Sequence, residues 1–257
     1  MNLCIDQGNS RTKVALMTDE GKMVKHLIYK QFSSADVERL FDLYDITDSI
    51  ISSVVDIEAA VVNTLNRRSQ HFVLFDHMTP VPIVNRYDTP HTLGQDRLAA
   101  AVGARSICPD ENLLIIDVGS AITYDFVSED GEYLGGNIAP GLKMRFTMLQ
   151  RMTKKLPLVE VDDNELIPLF GTNTRDAIAA GVIRGVAYEV KGYMRTLREK
   201  MPHFRTFLTG GNAPYILSNV RTSRTEKREL HYEKHLVLIG LNNILVYNKN
   251  RNNVIAS

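Results

Sequence analysis

Two stretches decide how this chain is read: Leu3 to Leu16, LCIDQGNSRTKVAL, and Leu114 to Val127, LIIDVGSAITYDFV. Laid on one another, Asp6 meets Asp117, Gly8 meets Gly119 and Thr12 meets Thr123, with Asn9 facing Ser120. The copies stand 111 residues apart, a little under half of the 257-residue chain. That spacing marks one large unit duplicated, since solenoid repeats recur every ~20–50 residues. Each copy opens on a short, branched apolar run, Leu3 to Ile5 and Leu113 to Ile116, followed by an Asp-x-Gly turn. A second β-prone run follows, Thr12 to Met17 and Ile122 to Val127. A third comes after a glycine turn, Met23 to Tyr29 and Tyr133 to Ile138. Both copies therefore predict an antiparallel three-stranded meander, and the two hairpins read as one design.

Beyond each meander the apolar period lengthens. Helices are predicted over 35–44, 57–67, 96–107, 142–152, 174–200, 213–217 and 235–247. Strands are predicted over 49–54, 71–75 and 205–208, and the stretch holding Pro80, Pro82 and Pro90 reads as loop. The organisation is βββαβαβα twice, an α/β layer structure with halves at 1–110 and 111–257. The halves leave a cleft between them, faced by the two Asp-x-Gly turns. This duplication resembles the actin-like ATPase fold, the ribonuclease H-like architecture of sugar and acetate kinases.

Composition removes several classes. Lys plus Arg total 30 and Asp plus Glu total 30, so the chain lacks the basic excess of a protein that coats nucleic acid. With 44% hydrophobic and 23% charged residues it is a folded globular chain, not a disordered one. No apolar run reaches ~18 residues, so no membrane span is expected. Asp6 interrupts the first apolar run before a signal peptide can form. Cys4 and Cys108 have no CxxC partner and read as reduced thiols of a cytoplasmic protein. Walker A, dinucleotide-fingerprint and serine-elbow motifs are all missing. His231 and His235 are four apart, but Lys227, Arg228 and Lys234 around them favour a solvated face over a metal site.

The turns suggest phosphate chemistry. In Asp6-Gln7-Gly8-Asn9-Ser10-Arg11-Thr12-Lys13, Gly8 lets backbone N–H groups approach an anion. Asn9, Ser10 and Thr12 add donors, and Lys13 adds charge. Asp6, at a strand end, suits a hydrated Mg²⁺, which takes few carboxylates. Ser120 and Thr123 supply hydroxyls in the second copy. Gly135-Gly136-Asn137-Ile138-Ala139-Pro140-Gly141 bends the backbone tightly before a helix. Thr209-Gly210-Gly211 lies between a strand and a helix, where a nucleotide can approach a helix N-terminus. In Gly94-Gln95-Asp96-Arg97, Asp96 is either a helix cap or a general base beside an arginine that grips an anionic substrate.

Taken in order, Asp6-x-Gly-Asn-x-x-x-Lys13, Gly94-x-Asp96-Arg97, Asp117-x-Gly-Ser-Ala-x-Thr123-x-Asp125, Gly135-Gly-x-Ile-x-Pro-Gly141 and Thr209-Gly-Gly211 resemble the type III pantothenate kinases. The resemblance runs from Leu3 to Leu236-Val-Leu-Ile-Gly-Leu241. It implies ATP-dependent phosphorylation of pantothenate, the first step of coenzyme A synthesis, by an actin-like homodimer. It also implies a need for Mg²⁺ and a monovalent cation, K⁺ or NH₄⁺. Carried over, Asp6 to Lys13 form the first ATP phosphate loop, and Ser120 with Thr123 form the second. Asp96 is the base, and Tyr87 and Gly94 to Arg97 line the pantothenate site. Asp117 is the monovalent-cation ligand, and Thr209 to Gly211 lie by the nucleoside. Thr172 is a substrate-site residue near the dimer interface. The family usually has Thr where this chain has Ser120; both carry the hydroxyl. A non-catalytic regulator related to the Bvg accessory factors shares the resemblance and is the alternative.

Overall fold

A computed structural model describes residues 1–162, 165–201, 203–220 and 223–255. The chain forms two compact units. One comprises Met1–Asp110, Asp130–Leu134 and His235–Ser257; the other comprises Glu111–Glu129 and Gly135–Lys234.

In the first unit the meander is β1 (Asn2–Gln7), β2 (Thr12–Met17) and β3 (Met23–Tyr29), followed by α1 (Ser34–Leu43), β4 (Asp48–Ser53), α2 (Ala59–Arg68) and β5 (His71–Leu74). The strands lie in the order β3-β2-β1-β4-β5, with β1 antiparallel to β2 and parallel to β4. Strand alternation sorts the residues onto two faces. Leu3, Ile5, Val14, Leu16 and Ile51 pack with Val37, Leu40 and Phe41 of α1 and Val61 and Leu65 of α2. Helix α1 starts where it does because Ser33 and Asp36 form a capping box.

The opposite face of the sheet carries Asn2, Cys4 and Asp6, and there α8 (Leu236–Ile255) packs on β1 and β4. Asn242 of α8 accepts a hydrogen bond from Asn2 Nδ2 at 2.8 Å and donates to the Thr18 carbonyl at 3.1 Å. Farther along, Lys249 reaches Asp48 at 2.9 Å and Asp19 at 3.0 Å. Helix α3 (Gln95–Ile107) is rich in alanine and lies against α8 closely enough that glycines are required at the crossing. A Cβ on Gly240 would stand 1.8 Å from the Ala99 carbonyl oxygen, and one on Gly103 would stand 2.3 Å from that of Leu236.

The second unit contains β7 (Leu113–Val118), β8 (Ala121–Val127), most of β9 (Glu132–Pro140), α4 (Leu142–Met152), α5 (Thr174–Lys200), β10 (Arg205–Thr209), α6 (Ala213–Val220), α7 (Arg224–Glu229) and β11 (Leu230–Tyr232). Its strands lie in the order β11-β10-β7-β8-β9; the first residues of β9, which belong to the other unit, pair with β6 (Val84–Asn85). Leu114, Ile116, Val118, Ile122 and Tyr124 pack against Ile178, Val182, Val186 and Val190 of α5 and Ile216 of α6. The 27-residue α5 is capped by Asn173, whose side chain accepts from the Asp176 amide at 2.9 Å.

Both meanders and all seven expected helices are present. Where the structure differs, the reasons are visible in it. The proline-rich stretch holds the two-residue β6 and a 3₁₀ turn at Pro90–Thr92. Helix α7 and strand β11 fall where no strong period exists. Helix α8 runs eight residues beyond Tyr247, because Asn248 and Lys249 are anchored to the Pro80 carbonyl and to Asp48. Among the described residues no helix is long and apolar enough to cross a membrane.

Candidate active site

In the first unit Asp6 ends β1 and is 7% exposed. The β1–β2 register sets Lys13 directly opposite, and its ammonium lies 3.5 Å from the Asp6 carboxylate. Burial pushes the Asp6 carboxyl above its ordinary range, Lys13 pulls it back, and the nearby charge of Asp96 adds to the rise. The Gly8 amide donates to the Arg11 carbonyl at 3.1 Å, closing the turn, while Asn9, Ser10 and Arg11 are exposed. Thr12 pairs with Gln7, so it lies on the other face of the sheet from Asp6 and Lys13.

Asp96 stands in the first turn of α3, whose N-cap is Gly94. Its Oδ1 accepts the Arg97 amide at 2.9 Å and lies 2.6 Å from where a Cβ on Gly94 would be. Arg97 is 6% exposed, and its guanidinium carbon is 5.8 Å from the Tyr87 ring centre. Tyr87 in turn leans on Tyr133, with ring centres 6.2 Å apart. Gln95 Nε2 donates to the Leu93 carbonyl at 3.2 Å; its Oε1 is buried without a partner among the described residues. The structure thus gathers Asp6, Lys13, Asp96, Arg97 and Tyr87 in one unit.

In the second unit Asp117 is near the end of β7 with Thr123 opposite it on β8. Two backbone segments enclose this turn. Gly210 adopts φ +95°, and a Cβ there would lie 2.4 Å from Asp117 Oδ1 and 2.6 Å from Val118 backbone atoms. A Cβ on Gly141 would lie 2.2 Å from the Ser120 carbonyl oxygen. Asn212 clamps the turn, with its amide donating to the Val118 carbonyl and its Nδ2 to the Gly119 carbonyl, each at 2.9 Å. Asn212 lies beside the expected Gly210-Gly211 pair, but nothing in its identity announced this contact. Thr209 is 2% exposed, whereas Gly211 is exposed. Thr172 is exposed just ahead of α5.

The hairpins are not of one design. Asp6 faces Lys13, but Asp117 faces Thr123, so the second turn is one residue tighter in register. The matched threonines Thr12 and Thr123 therefore occupy different places relative to their aspartates. The histidine pair also separates: His231 lies on β11 against Phe207, and the His235 ring lies tilted against that of His26. Among the described residues no cluster of three His, Cys, Asp or Glu side chains forms a ready metal site.

Comparison with known proteins fixes the family. The type III pantothenate kinase family matches residues 2–196. A type III pantothenate kinase of Bacteroides fragilis is 40% identical over 98% of this chain and 100% of its own length. One from Porphyromonas gingivalis is 41% identical over 96% of this chain and 98% of its own. Among solved structures, a putative Baf family transcriptional activator from Campylobacter jejuni superposes with TM-score 0.60 at 20% identity, covering 96% of this chain and 99% of that one. A putative N-acetylmannosamine kinase from Listeria monocytogenes gives 0.56 at 12% identity, covering 97% and 99%. These structural likenesses are of fold, and they place the chain among duplicated actin-like, ribonuclease H-like proteins. With near-complete coverage at about 40% identity, the chain belongs to the type III pantothenate kinase family.

Proposed function

We propose that this enzyme transfers the γ-phosphoryl group of ATP to the primary hydroxyl of pantothenate, giving 4′-phosphopantothenate for coenzyme A synthesis in the cytoplasm. The observation that carries the reading is the gathering of Asp96 and Arg97 with Asp6 and Lys13. A carboxylate able to take a proton stands beside a carboxylate–lysine pair suited to phosphates.

In this reading Arg97 holds the pantothenate carboxylate, and its stacking on Tyr87 keeps the guanidinium fixed. Gly94 and Gln95 complete that side of the site. Asp96 accepts the hydroxyl proton as the oxygen attacks the γ-phosphorus. The bond to the β–γ bridging oxygen breaks, and ADP leaves. Such proton transfer is worth ~10²–10⁴-fold. Asn9 and Ser10, with the backbone amides of the first turn, and Ser120 with Thr123 in the second, hydrogen-bond ATP phosphates. Lys13 neutralises charge that builds on the transferring oxygens. Gly210 and Gly211 lie along the nucleoside.

The donor sets fit the cations the family implies. Asp6 is a buried carboxylate in a long ion pair, able to take hydrogen bonds from the waters of a hydrated Mg²⁺. Asp117, enclosed by backbone, offers hard oxygen to K⁺ or NH₄⁺. Bound there, these ions supply charge neutralisation to the phosphates.

A second copy of the chain completes the assembly. Met144, Met148 and Met152 form one stripe along α4 and are 49%, 48% and 75% exposed, and Phe170, near Thr172, is 82% exposed. An exposed apolar stripe of this kind marks an interaction surface. Sedimentation should give twice the 28.9 kDa chain mass; a monomer at micromolar concentration contradicts the pairing. The activity itself is tested by ADP release with and without pantothenate. Turnover indifferent to pantothenate refutes the substrate, and none at all from a folded dimer favours a regulator of the same fold.

A further inference from the structure

Ser52 lies on β4 beside Asp6, paired with it in the parallel β1–β4 ladder. Paired residues of a parallel ladder point to the same face, on strands about 5 Å apart. Ser52 is 1% exposed, and its Oγ has no hydrogen-bond partner among the described residues. Its neighbours on the same strand behave differently. Ser49 Oγ shares a hydrogen bond with Ser69 Oγ at 2.6 Å, and Ser53 Oγ donates to the Val55 carbonyl at 2.7 Å. A buried hydroxyl left over in this way marks the place of a water, an ion or a ligand.

The surroundings say which. The first turn of α3, bearing Asp96, acts on the Asp6 carboxyl, and α3 packs on β4. Gln95 Oε1, in that same turn, is a second buried oxygen without a partner among the described residues. Serine and aspartate are both short. Across neighbouring strands their polar atoms do not meet here, and one water bonded to both would satisfy the hydroxyl.

We infer that Ser52 is a positioning residue of the phosphate site: through one water its hydroxyl fixes the Asp6 carboxylate in the setting that receives the hydrated cation accompanying ATP. The inference rests on the reading of Asp6 as a residue of the Mg-ATP site. It assigns Ser52 no contact with pantothenate and no part in the proton transfer.

The test compares wild type, Ser52→Ala and Ser52→Thr without turnover. Binding of Mn²⁺·ATP is followed by the paramagnetic resonance of free Mn²⁺, and binding of pantothenate by calorimetry. Thermal melting is recorded without ligands. Ser52→Ala should weaken Mn²⁺·ATP binding ~10-fold, the scale of one lost hydrogen-bonded bridge. Pantothenate affinity should stay within about twofold, and the melting temperature should not fall, because no hydrogen bond within the protein is lost. Ser52→Thr, which keeps the hydroxyl and suits a strand, should bind Mn²⁺·ATP within about threefold of wild type.

Equal Mn²⁺·ATP affinity in Ser52→Ala and wild type overturns the inference. So does a joint loss of both ligands with a lowered melting temperature or failure to fold, which would make the hydroxyl structural. If wild type itself fails to bind Mn²⁺·ATP, the reading of Asp6 falls and this inference falls with it. If wild type binds and Ser52→Ala binds as well, only the role of Ser52 is lost.

Discussion

Gly240→Ala tests whether the C-terminal helix sets the position of Asp96. The new methyl would lie 1.8 Å from the Ala99 carbonyl oxygen and 2.6 Å from its carbon. Restoring even a tight 3.0 Å contact requires the helices to part by about 1.2 Å. Helix α8 is held by Asn242 to Asn2 and Thr18 and by Lys249 to Asp48 and Asp19, so α3 is the element that yields. Asp96 and Arg97 ride on the first turn of α3. A misplacement of ~1 Å at a reacting group costs ~10²-fold in rate, and overpacking costs ~1–3 kcal/mol in stability. The variant should therefore remain folded at 25 °C with kcat lowered ~30–100-fold. Its KM for ATP should stay within about threefold, because the Asp6–Lys13 turn is carried by β1 and β2. The assay is coupled ADP release with saturating pantothenate, alongside a thermal melt. Gly181→Ala and Gly192→Ala on α5 are the controls. A Cβ at either meets nothing within 4 Å, so each should gain ~0.5–1 kcal/mol of helix stability and leave kcat unchanged. A folded Gly240→Ala enzyme with kcat within threefold of wild type would refute the reasoning.

Asp96→Asn should lower kcat at least ~100-fold while ATP affinity, read by calorimetry, holds; near-normal turnover removes Asp96 from the base role. Asp117→Ala should abolish activation by K⁺ in a titration against Na⁺, and an unchanged K⁺ response moves the cation site elsewhere. Asp48→Asn should destabilise the fold by ~3 kcal/mol in denaturant melts, because Lys249 and His71 both lose a buried carboxylate. Burial pushes the Asp48 carboxyl up, but hydrogen bonds from Lys249, His71 and Thr47 outweigh it and hold the group below its usual range. Its stabilisation is therefore present above the ordinary aspartate pKa of 3.8 and lost as pH falls through the lowered value. The gap between wild type and Asp48→Asn should close below about pH 4 and stay open at pH 7; a gap independent of pH contradicts the assignment.

The duplicated meander was legible because strand alternation and Asp-x-Gly turns are local signals. Helix α5 was legible at both ends, because its apolar period is long and Asn173 caps it. What escaped depended on partners distant in sequence. The tail of α8 carries Asn and Lys where an apolar stripe would be expected; it is helical because Asn248 and Lys249 find Pro80 and Asp48. The one-residue difference in hairpin register was hidden because loop conformation sets it, and aligned letters do not record that. Most of the candidate site residues were marked by turn and cap motifs. Ser52 was not, since a serine within a strand carries no signal until its neighbour Asp6 and its hydroxyl, without a partner among the described residues, are seen together.

The most direct test of the central claim is ADP release by the purified protein with ATP and Mg²⁺ in potassium buffer, with and without pantothenate. The proposed chemistry predicts release that requires pantothenate, produces equimolar 4′-phosphopantothenate and collapses in Asp96→Asn. Release that proceeds equally without pantothenate, or survives Asp96→Asn, would contradict it.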